Sequence, residues 1–149
     1  MMRARYGTGV FLDFLSENVK TIKAFGFFNF DELTSIKIPD SAVCIETSAF
    51  ACCYNLTAID IGNNVETIEN QAFSHCYKLT LINLPDSVTY IGNEAFRSCV
   101  NLKKVTLGNN IKYIGDSAFY KCSYVIISAP IGSYAEEYAK NNNLKFISI

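Results

Sequence analysis

The sequence contains no tryptophan, three prolines and a single histidine, and it has no excess of either charge. Its 13 Lys and Arg residues stand against 14 Asp and Glu residues, which gives a net charge of -1. Nucleic-acid-binding domains concentrate basic residues on one face, and no basic cluster occurs in this chain. No apolar run approaches the roughly 20 residues that a membrane helix requires. We therefore expect no nucleic-acid partner and no membrane insertion.

The N-terminus also lacks the features of a signal peptide. Asp13 interrupts the apolar run that follows the two N-terminal arginines, and no small-residue cleavage site comes after it. We therefore expect residues 1–18 to form an N-terminal edge segment rather than a leader.

Residues for catalysis are equally scarce. A Cys-His or Ser-His pair would have to use His75, the only histidine, and no acidic residue in its local turn could orient it. Gly7 and Gly9 form a lone Gly-x-Gly with no third glycine, which is insufficient for a phosphate-binding loop. We expect His75 to be a surface residue, and we predict no enzyme, no catalytic residue and no cofactor.

What the sequence does contain is a repeat with a step of 23 residues. Four columns keep this step: the Ala-Phe pairs Ala49-Phe50, Ala72-Phe73, Ala95-Phe96 and Ala118-Phe119; Ile22, Ile45, Ile68, Ile91 and Ile114; Cys53, Cys76, Cys99 and Cys122; and Leu33, Leu56, Leu79, Leu102 and Val125. A unit of this size is too short to bury its own apolar side, so neighbouring units must stack and share a core.

Each unit predicts one turn of a β-rich α/β solenoid. Segments such as LTSIKIP and LTLINLP alternate apolar and polar residues, as half-buried strands do, and they end in PDS or GNN turns. Around each Ala-Phe pair we expect a tight helical turn on the side opposite the strands. The strands of stacked units should form a parallel sheet about 4.8 Å apart.

The two ends depart from this pattern. The repeat array is predicted over residues 19–128, with a degenerate first unit in which Gly26 replaces Ala and Phe30 replaces Cys. Residues 129–149 should form a C-terminal cap in which Ser133 and Glu136 make a capping box. A helix over 134–140 and a last strand over 144–149 follow from this, all within a single domain.

These columns resemble the BspA-like leucine-rich repeats, whose unit of about 23 residues reads L-x-x-I-x-[IL]-P-x-x-[VI]-x-x-I-G-x-x-A-F-x-x-C. The resemblance implies a leucine-rich repeat fold wound as a right-handed superhelix. It also implies a role in attachment, because BspA-like proteins are typically surface proteins of bacteria or protists that bind other proteins. The chain departs from the family at Glu46 and Glu69, where glycine is usual, and keeps glycine at Gly92 and Gly115.

The six cysteines do not have the spacing of a metal site or a disulfide framework. One cysteine per unit places four of them in a line, whereas metal ligands converge on a point. Side chains stacked in parallel also meet the geometry of a disulfide poorly. We predict a buried ladder of free thiols at Cys53, Cys76, Cys99 and Cys122, with accessible thiols only at Cys44 and Cys52.

The aromatic residues divide into a core column and two outer groups. We expect Phe50, Phe73, Phe96 and Phe119 to form a buried ladder, and Tyr90 and Tyr113 to stack on the outer side. Two interpretations remain for the phenylalanines of AFGFFNF at residues 24–30: they cover the edge of the core, or they form an adhesive end that pairs with another molecule.

The favoured function is a protein-protein interaction or adhesion module. A solenoid exposes a long sheet face whose outward residues can vary without disturbing the core. Strand alternation predicts that this face carries Ser35, Lys37, Ala58, Asp60, Leu81, Asn83, Lys104 and Thr106. The alternative is a structural spacer within a longer surface protein. The family resemblance suggests the cell surface, but the absent export signal and the free thiols do not, so the localisation stays open.

Overall fold

The computed structural model describes residues 10–12 and 15–149. The Gly7 and Gly9 motif and most of the N-terminal segment considered for a leader lie outside the described residues. The described elements are β1 Val10–Leu12, β2 Thr21–Ile22, β3 Leu33–Lys37, β4 Cys44–Ile45, β5 Ala58–Asp60, β6 Thr67–Ile68, β7 Leu81–Asn83, β8 Tyr90–Ile91, β9 Lys104–Thr106, β10 Tyr113–Ile114, β11 Ile126–Ala129, α1 Tyr134–Asn141 and β12 Lys145–Ser148.

These elements form the predicted solenoid. Each turn of the chain, called a rung below, contributes one strand to each of two sides. On one side the hydrogen-bonded orders are β1-β3-β5 and β7-β9-β11-β12, and on the other side the order is β2-β4-β6-β8-β10. All of the pairings are parallel, and neighbouring rungs align Ser35 with Ala58 and Thr67 with Tyr90, each one repeat apart. The expected fold class is therefore confirmed.

The core is a stack of identical side chains. Phe50, Phe73 and Phe96 are fully buried, and Phe119 is 4% exposed. Their rings lie parallel at centroid distances of 5.3, 5.4 and 5.3 Å, close to the strand spacing of a sheet. The predicted phenylalanine ladder is confirmed, and Phe27 extends it with a stacked contact to Phe50 at 5.0 Å.

The segment around each Ala-Phe pair is a series of hydrogen-bonded turns. The N–H of Cys53 donates to the carbonyl of Phe50 within the rung, whereas the N–H of Phe50 donates to the carbonyl of Ala72 in the next rung. The hydrogen bonds between residues i+3 and i, such as the bond from Cys53 to Phe50, are those of the expected tight turn. A continuous helix is interrupted, however, because Ser48 and Cys52 take left-handed φ angles of 54° and 60°. The same pair of left-handed positions recurs in the other rungs.

Neighbouring rungs touch closely at the PDS and GNN turns. A Cβ on Gly62 would collide with the carbonyl oxygen of Pro39, and a Cβ on Gly108 would collide with the carboxylate of Asp86. A rung with the bulkier PDS turn is therefore followed by a rung with glycine. This contact explains the glycine at Gly62 after Pro39 and at Gly108 after Pro85, one half of the 46-residue double period.

The C-terminal cap has the predicted helix and strand. The Ser133 hydroxyl accepts a hydrogen bond from the N–H of Glu136 at 3.2 Å, as expected for a helix N-cap. The carboxylate of Glu136 reaches back to the N–H of Gly132 rather than to that of Ser133. Hydrogen bonds from Lys140 and from Gly132 lower the pKa of Glu136. On the inner side of α1, Tyr138 packs edge-on against Phe119 and closes the phenylalanine ladder.

The phenylalanines of AFGFFNF differ in burial. Phe27 and Phe30 are half-buried and pack against the core, and so they cover its edge. Phe25 and Phe28 pack edge-on against each other and are 59% and 48% exposed.

Candidate binding face

The structure places all eight predicted binding residues on one side of the solenoid, called the strand face: Ser35, Lys37, Ala58, Asp60, Leu81, Asn83, Lys104 and Thr106. Register pairs Ser35 with Ala58 and Lys37 with Asp60 in one sheet, and Leu81 with Lys104 and Asn83 with Thr106 in the other. Ser35 and Thr106 are half-buried and the other six are exposed. Leu81 is the most apolar of them and is 55% exposed.

The strand face extends beyond the predicted residues at its C-terminal end. Ile126 pairs with Lys104 on one side and with Lys145 on the other, and Ile147 lies next to Ser128. The 23-residue step misses these positions because the strand register of the last rung advances by 22 residues, from Lys104 to Ile126. The early proline and the loss of alternation in VIISAP are the sequence signals of this shift.

The strand face is divided between β5 and β7, where the two neighbouring rungs lack the backbone hydrogen-bond ladder of a parallel sheet. This junction is called the seam. At the β3–β5, β7–β9 and β9–β11 junctions two backbone hydrogen bonds recur, all 2.8–3.0 Å long. The first runs from Ile38 to Asp60, Leu84 to Thr106 and Leu107 to Ser128, and the second runs from Thr57 to Thr34, Lys103 to Thr80 and Ile126 to Lys103. Within the described residues, the N–H groups of Ile61 and Thr80 make neither bond.

The seam opens a shallow pocket on the strand face. Its volume is about 310 Å³, and it is lined by Ser35, Ile36, Lys37, Ala58, Ile59, Asp60, Leu81 and Asn83. Ile59 is half-buried, whereas the equivalent inward residues Ile82 and Val105 are fully buried. The sequence repeat gave no indication of this pocket, because Ile59 occupies an ordinary core column.

The opposite side carries a polar groove of about 490 Å³, lined by Thr47, Asn70, Gln71, Asn93, Glu94, Asp116 and Ser117. Several of its polar side chains already accept hydrogen bonds from backbone N–H groups of the neighbouring rung. The amide oxygen of Asn70 accepts from the N–H of Asn93, and that of Asn93 accepts from the N–H of Asp116. Gln71 and Arg97 donate to the carboxylate of Glu94 and lower its pKa. Beside the groove Tyr90 and Tyr113 stack at 5.0 Å, as predicted.

All six cysteines are free, and the four ladder cysteines are buried while Cys44 and Cys52 are half-buried. Each ladder thiol lies within hydrogen-bonding distance of a phenylalanine carbonyl in the preceding rung, from Cys53 and Phe27 at 3.0 Å to Cys122 and Phe96 at 3.0 Å. Burial raises the pKa of Cys53 to about 12. Burial and the neighbouring carboxylates of Glu69 and Glu46 raise the pKa of Cys44 to about 11.

His75 is half-buried rather than fully exposed. Its Nδ1 atom lies 2.7 Å from the hydroxyl of Ser74, and its ring packs edge-on against Tyr77. Ser74 is itself only 4% exposed, which leaves little access for a substrate. In the part of the chain that the structure describes, no group of three His, Cys, Asp or Glu residues could hold a metal ion.

Among the described residues, no helix is both long and apolar enough to cross a membrane.

Several solved structures of other proteins are similar to this chain. The T. pallidum leucine-rich repeat protein TpLRR is 31% identical with a TM-score of 0.74, and the match covers 76% of this chain and 54% of that one. A leucine-rich cell surface protein of Faecalibacterium prausnitzii is 29% identical with a TM-score of 0.73, covering 81% and 32%. The pneumococcal vaccine antigen PcpA is 22% identical with a TM-score of 0.69, covering 90% and 40%, and shares the fold.

The chain thus spans about half or less of the length of these three structures. A search of the curated proteins gives no significant match. Residues 13–126 match the BspA type leucine rich repeat region in six copies. This match covers more than half of the sequence and agrees with the repeat columns and the solenoid, so the chain belongs to the BspA-type leucine-rich repeat family.

Proposed function

We propose that this chain is a protein-binding module that uses its strand face. The main support is that this face presents side chains from successive rungs, in register within each of its two sheets, without using them for the core. Leu81 is 55% exposed, while its neighbour Ile82 is fully buried. Substitutions on this face can therefore change recognition while leaving the packed interior intact, and leucine-rich repeat scaffolds are commonly used for protein interaction.

We further propose adhesion at a cell surface as the setting. The similar F. prausnitzii protein is described as a cell surface protein, and the family resemblance implies a role in attachment. The eight residues of the strand face are not strongly charged, because Lys37 lies opposite Asp60 and only Lys104 adds a further charge. The face therefore suits a protein surface of mixed polarity better than a strongly charged partner. Interfaces of this mixed kind gain affinity from a few buried contacts rather than from net charge.

The test replaces Leu81 and Asn83 together with arginine, at the centre of the strand face. Both side chains are exposed, so the variant should fold, whereas a partner should lose contact area and meet unfavourable desolvation. The matched control is Tyr90→Arg with Tyr113→Arg, two exposed residues on the other side of the solenoid.

Immobilised wild-type and variant proteins would be incubated with proteins from the surfaces of candidate host cells, and retained proteins identified by mass spectrometry. We expect at least one protein to be retained by the wild type and by the tyrosine variant but lost from the Leu81 and Asn83 variant. Loss from the tyrosine variant alone would place the functional surface on the other side.

A structural spacer is the second candidate, favoured by the fact that the chain spans only 32–54% of the similar structures. A spacer has no partner of its own. If nothing is retained specifically by the wild type, the spacer function is supported and the binding function is rejected.

A further inference from the structure

The seam between β5 and β7 leaves two backbone donors without a protein acceptor among the described residues. They are the N–H groups of Ile61 and Thr80, whose counterparts at the other junctions donate to the adjacent strand. Backbone N–H groups in folded proteins are nearly always hydrogen-bonded to protein, water or ligand. A carbonyl oxygen placed at the seam would supply the acceptor that the ladder omits.

The floor of the seam pocket is apolar. Ile36 and Ile59 form it, and Ile59 remains partly accessible although its column is otherwise buried. Ala58 is the smallest outward residue of its column and leaves space beside the exposed side chain of Leu81. A pocket of about 310 Å³ has room for one medium-sized aliphatic side chain and is too shallow to enclose a large ligand.

The rim of the pocket is polar but carries no excess of charge. Lys37 and Asp60 oppose each other across β3 and β5, and Ser35 and Asn83 complete the rim. An acidic or basic tail would meet one like charge on this rim, whereas a neutral peptide backbone can hydrogen-bond to each of these groups.

We propose that the seam is a peptide subsite that receives one branched aliphatic side chain of an extended segment of a partner protein. The side chain covers Ile59 between Ala58 and Leu81, and a flanking carbonyl of the segment accepts from the N–H of Ile61 or Thr80. This subsite rests on the proposed function and specifies the partner chemistry at the centre of the strand face.

Amide hydrogen exchange of the free protein tests the seam itself. Without ladder bonds, the amides of Ile61 and Thr80 should exchange at least about 10-fold faster than the equivalent amides of Leu84 and Lys103. Equal protection of the two pairs would mean that the ladder is complete, and the proposal would be overturned.

The ligand probe is N-acetyl-leucine methylamide, which carries one branched side chain between two peptide groups. We expect it to shift the amide resonances of Ile59, Ile61 and Leu81, with a dissociation constant on the order of 1 mM for a ligand of this size. N-acetyl-glycine methylamide, which lacks the side chain, should cause no saturable shift. Shifts that centre on Val105 or Ile127 instead would contradict the assignment.

Ala58→Leu fills the pocket and should weaken binding of the leucine probe at least about 10-fold, because its new side chain occupies the space of the ligand. The control is Thr106→Leu, which places the same new side chain on β9, where the ladder is complete. Unchanged binding in Ala58→Leu would overturn the subsite. If a protein partner is retained but no amide resonance at the seam shifts, the subsite is also overturned and the proposed function still stands.

Discussion

At the scale of single residues, the cysteine column shows how a repeat position meets two requirements at once. The sequence predicts a small, apolar, buried side chain, and that part is correct for Cys53, Cys76, Cys99 and Cys122. The column also supplies a weak donor to the phenylalanine carbonyl of the preceding rung, as from Cys99 to Phe73 at 3.1 Å. This contact crosses rungs through space, so the order of residues gave no indication of it.

The two half-buried thiols should react at different rates with a thiol reagent. Because the pKa of Cys44 is raised to about 11, little of its reactive thiolate exists near neutral pH. We expect labelling in the order Cys52, then Cys44, with the ladder cysteines modified only on unfolding. The rate at Cys44 should rise about 10-fold per pH unit between pH 7 and pH 10, measured by mass spectrometry of quenched samples.

The wild-type protein with and without urea provides the comparison for the ladder. Modification of Cys76 or Cys99 as fast as Cys52 in native buffer would contradict the burial of the column.

The phenylalanine ladder should carry a large share of the stability. Phe73 is fully buried and stacks on Phe50 and Phe96, so Phe73→Ala removes contacts on both sides and leaves a cavity. We expect the free energy of unfolding in urea to fall by about 3–5 kcal/mol. Phe28→Ala, at a residue that is 48% exposed, is the control and should cost less than about 1 kcal/mol. Similar costs for both variants would show that the stack is not a packed core.

At the scale of the structural element, side chains satisfy the backbone N–H groups of the turns in two alternative ways. In the early rungs the carboxylates of Glu46 and Glu69 accept from the N–H groups of Ala24 and Thr47 in the preceding rung. In the later rungs glycine occupies the position equivalent to Glu46 and Glu69. The side-chain amide oxygen of an asparagine in the preceding rung accepts from the backbone N–H instead. Glu46 and Glu69, which depart from the family pattern, therefore supply one kind of side-chain acceptor for a backbone N–H, and the asparagines of the later rungs supply another.

Glycine is required in the later rungs because the neighbouring backbone is too close for a side chain. A Cβ on Gly115 would overlap the backbone N and the amide oxygen of Asn93. Gly115→Ala should therefore lower the free energy of unfolding by about 1–3 kcal/mol, measured in urea. The control is Asp116→Ala, at an exposed neighbour whose backbone N–H, rather than its side chain, forms the hydrogen bond to Asn93. A neutral Gly115→Ala would mean that the rungs can separate without cost.

The repeat columns were sufficient to predict the rungs, the core ladder and the outward residues of the strand face. These features follow from periodicity, because each column meets the same environment in every rung. The seam could not be predicted, since Thr57-Ala58-Ile59-Asp60 matches the strand pattern as well as any other unit. The shifted register at Ile126 and the Glu-for-Gly exchange depend on contacts between rungs, which periodicity does not describe.

At the scale of the whole molecule, the two ends of the phenylalanine ladder differ. At the C-terminal end α1 covers Phe119 through Tyr138, and Ala135 and Ala139 on the inner side of this helix are fully buried. Towards the N-terminal end, Phe25 and Phe28 are largely exposed. Because each rung contacts only its neighbours, the stability of a terminal rung depends on what covers it.

The cap should consequently keep the solenoid from associating with itself. Ala139→Arg introduces a charge at a fully buried position, which should detach α1 and expose the ring of Phe119 and the last rung. Open solenoid ends pair with other chains, so we expect a concentration-dependent rise in molecular mass by light scattering together with a lower unfolding midpoint. Glu137→Arg, on the exposed side of the same helix, is the control and should remain unchanged in both measurements. If Ala139→Arg keeps the mass and the midpoint of the wild type, α1 does not protect the end of the core, and the stacked rungs must be stable without it.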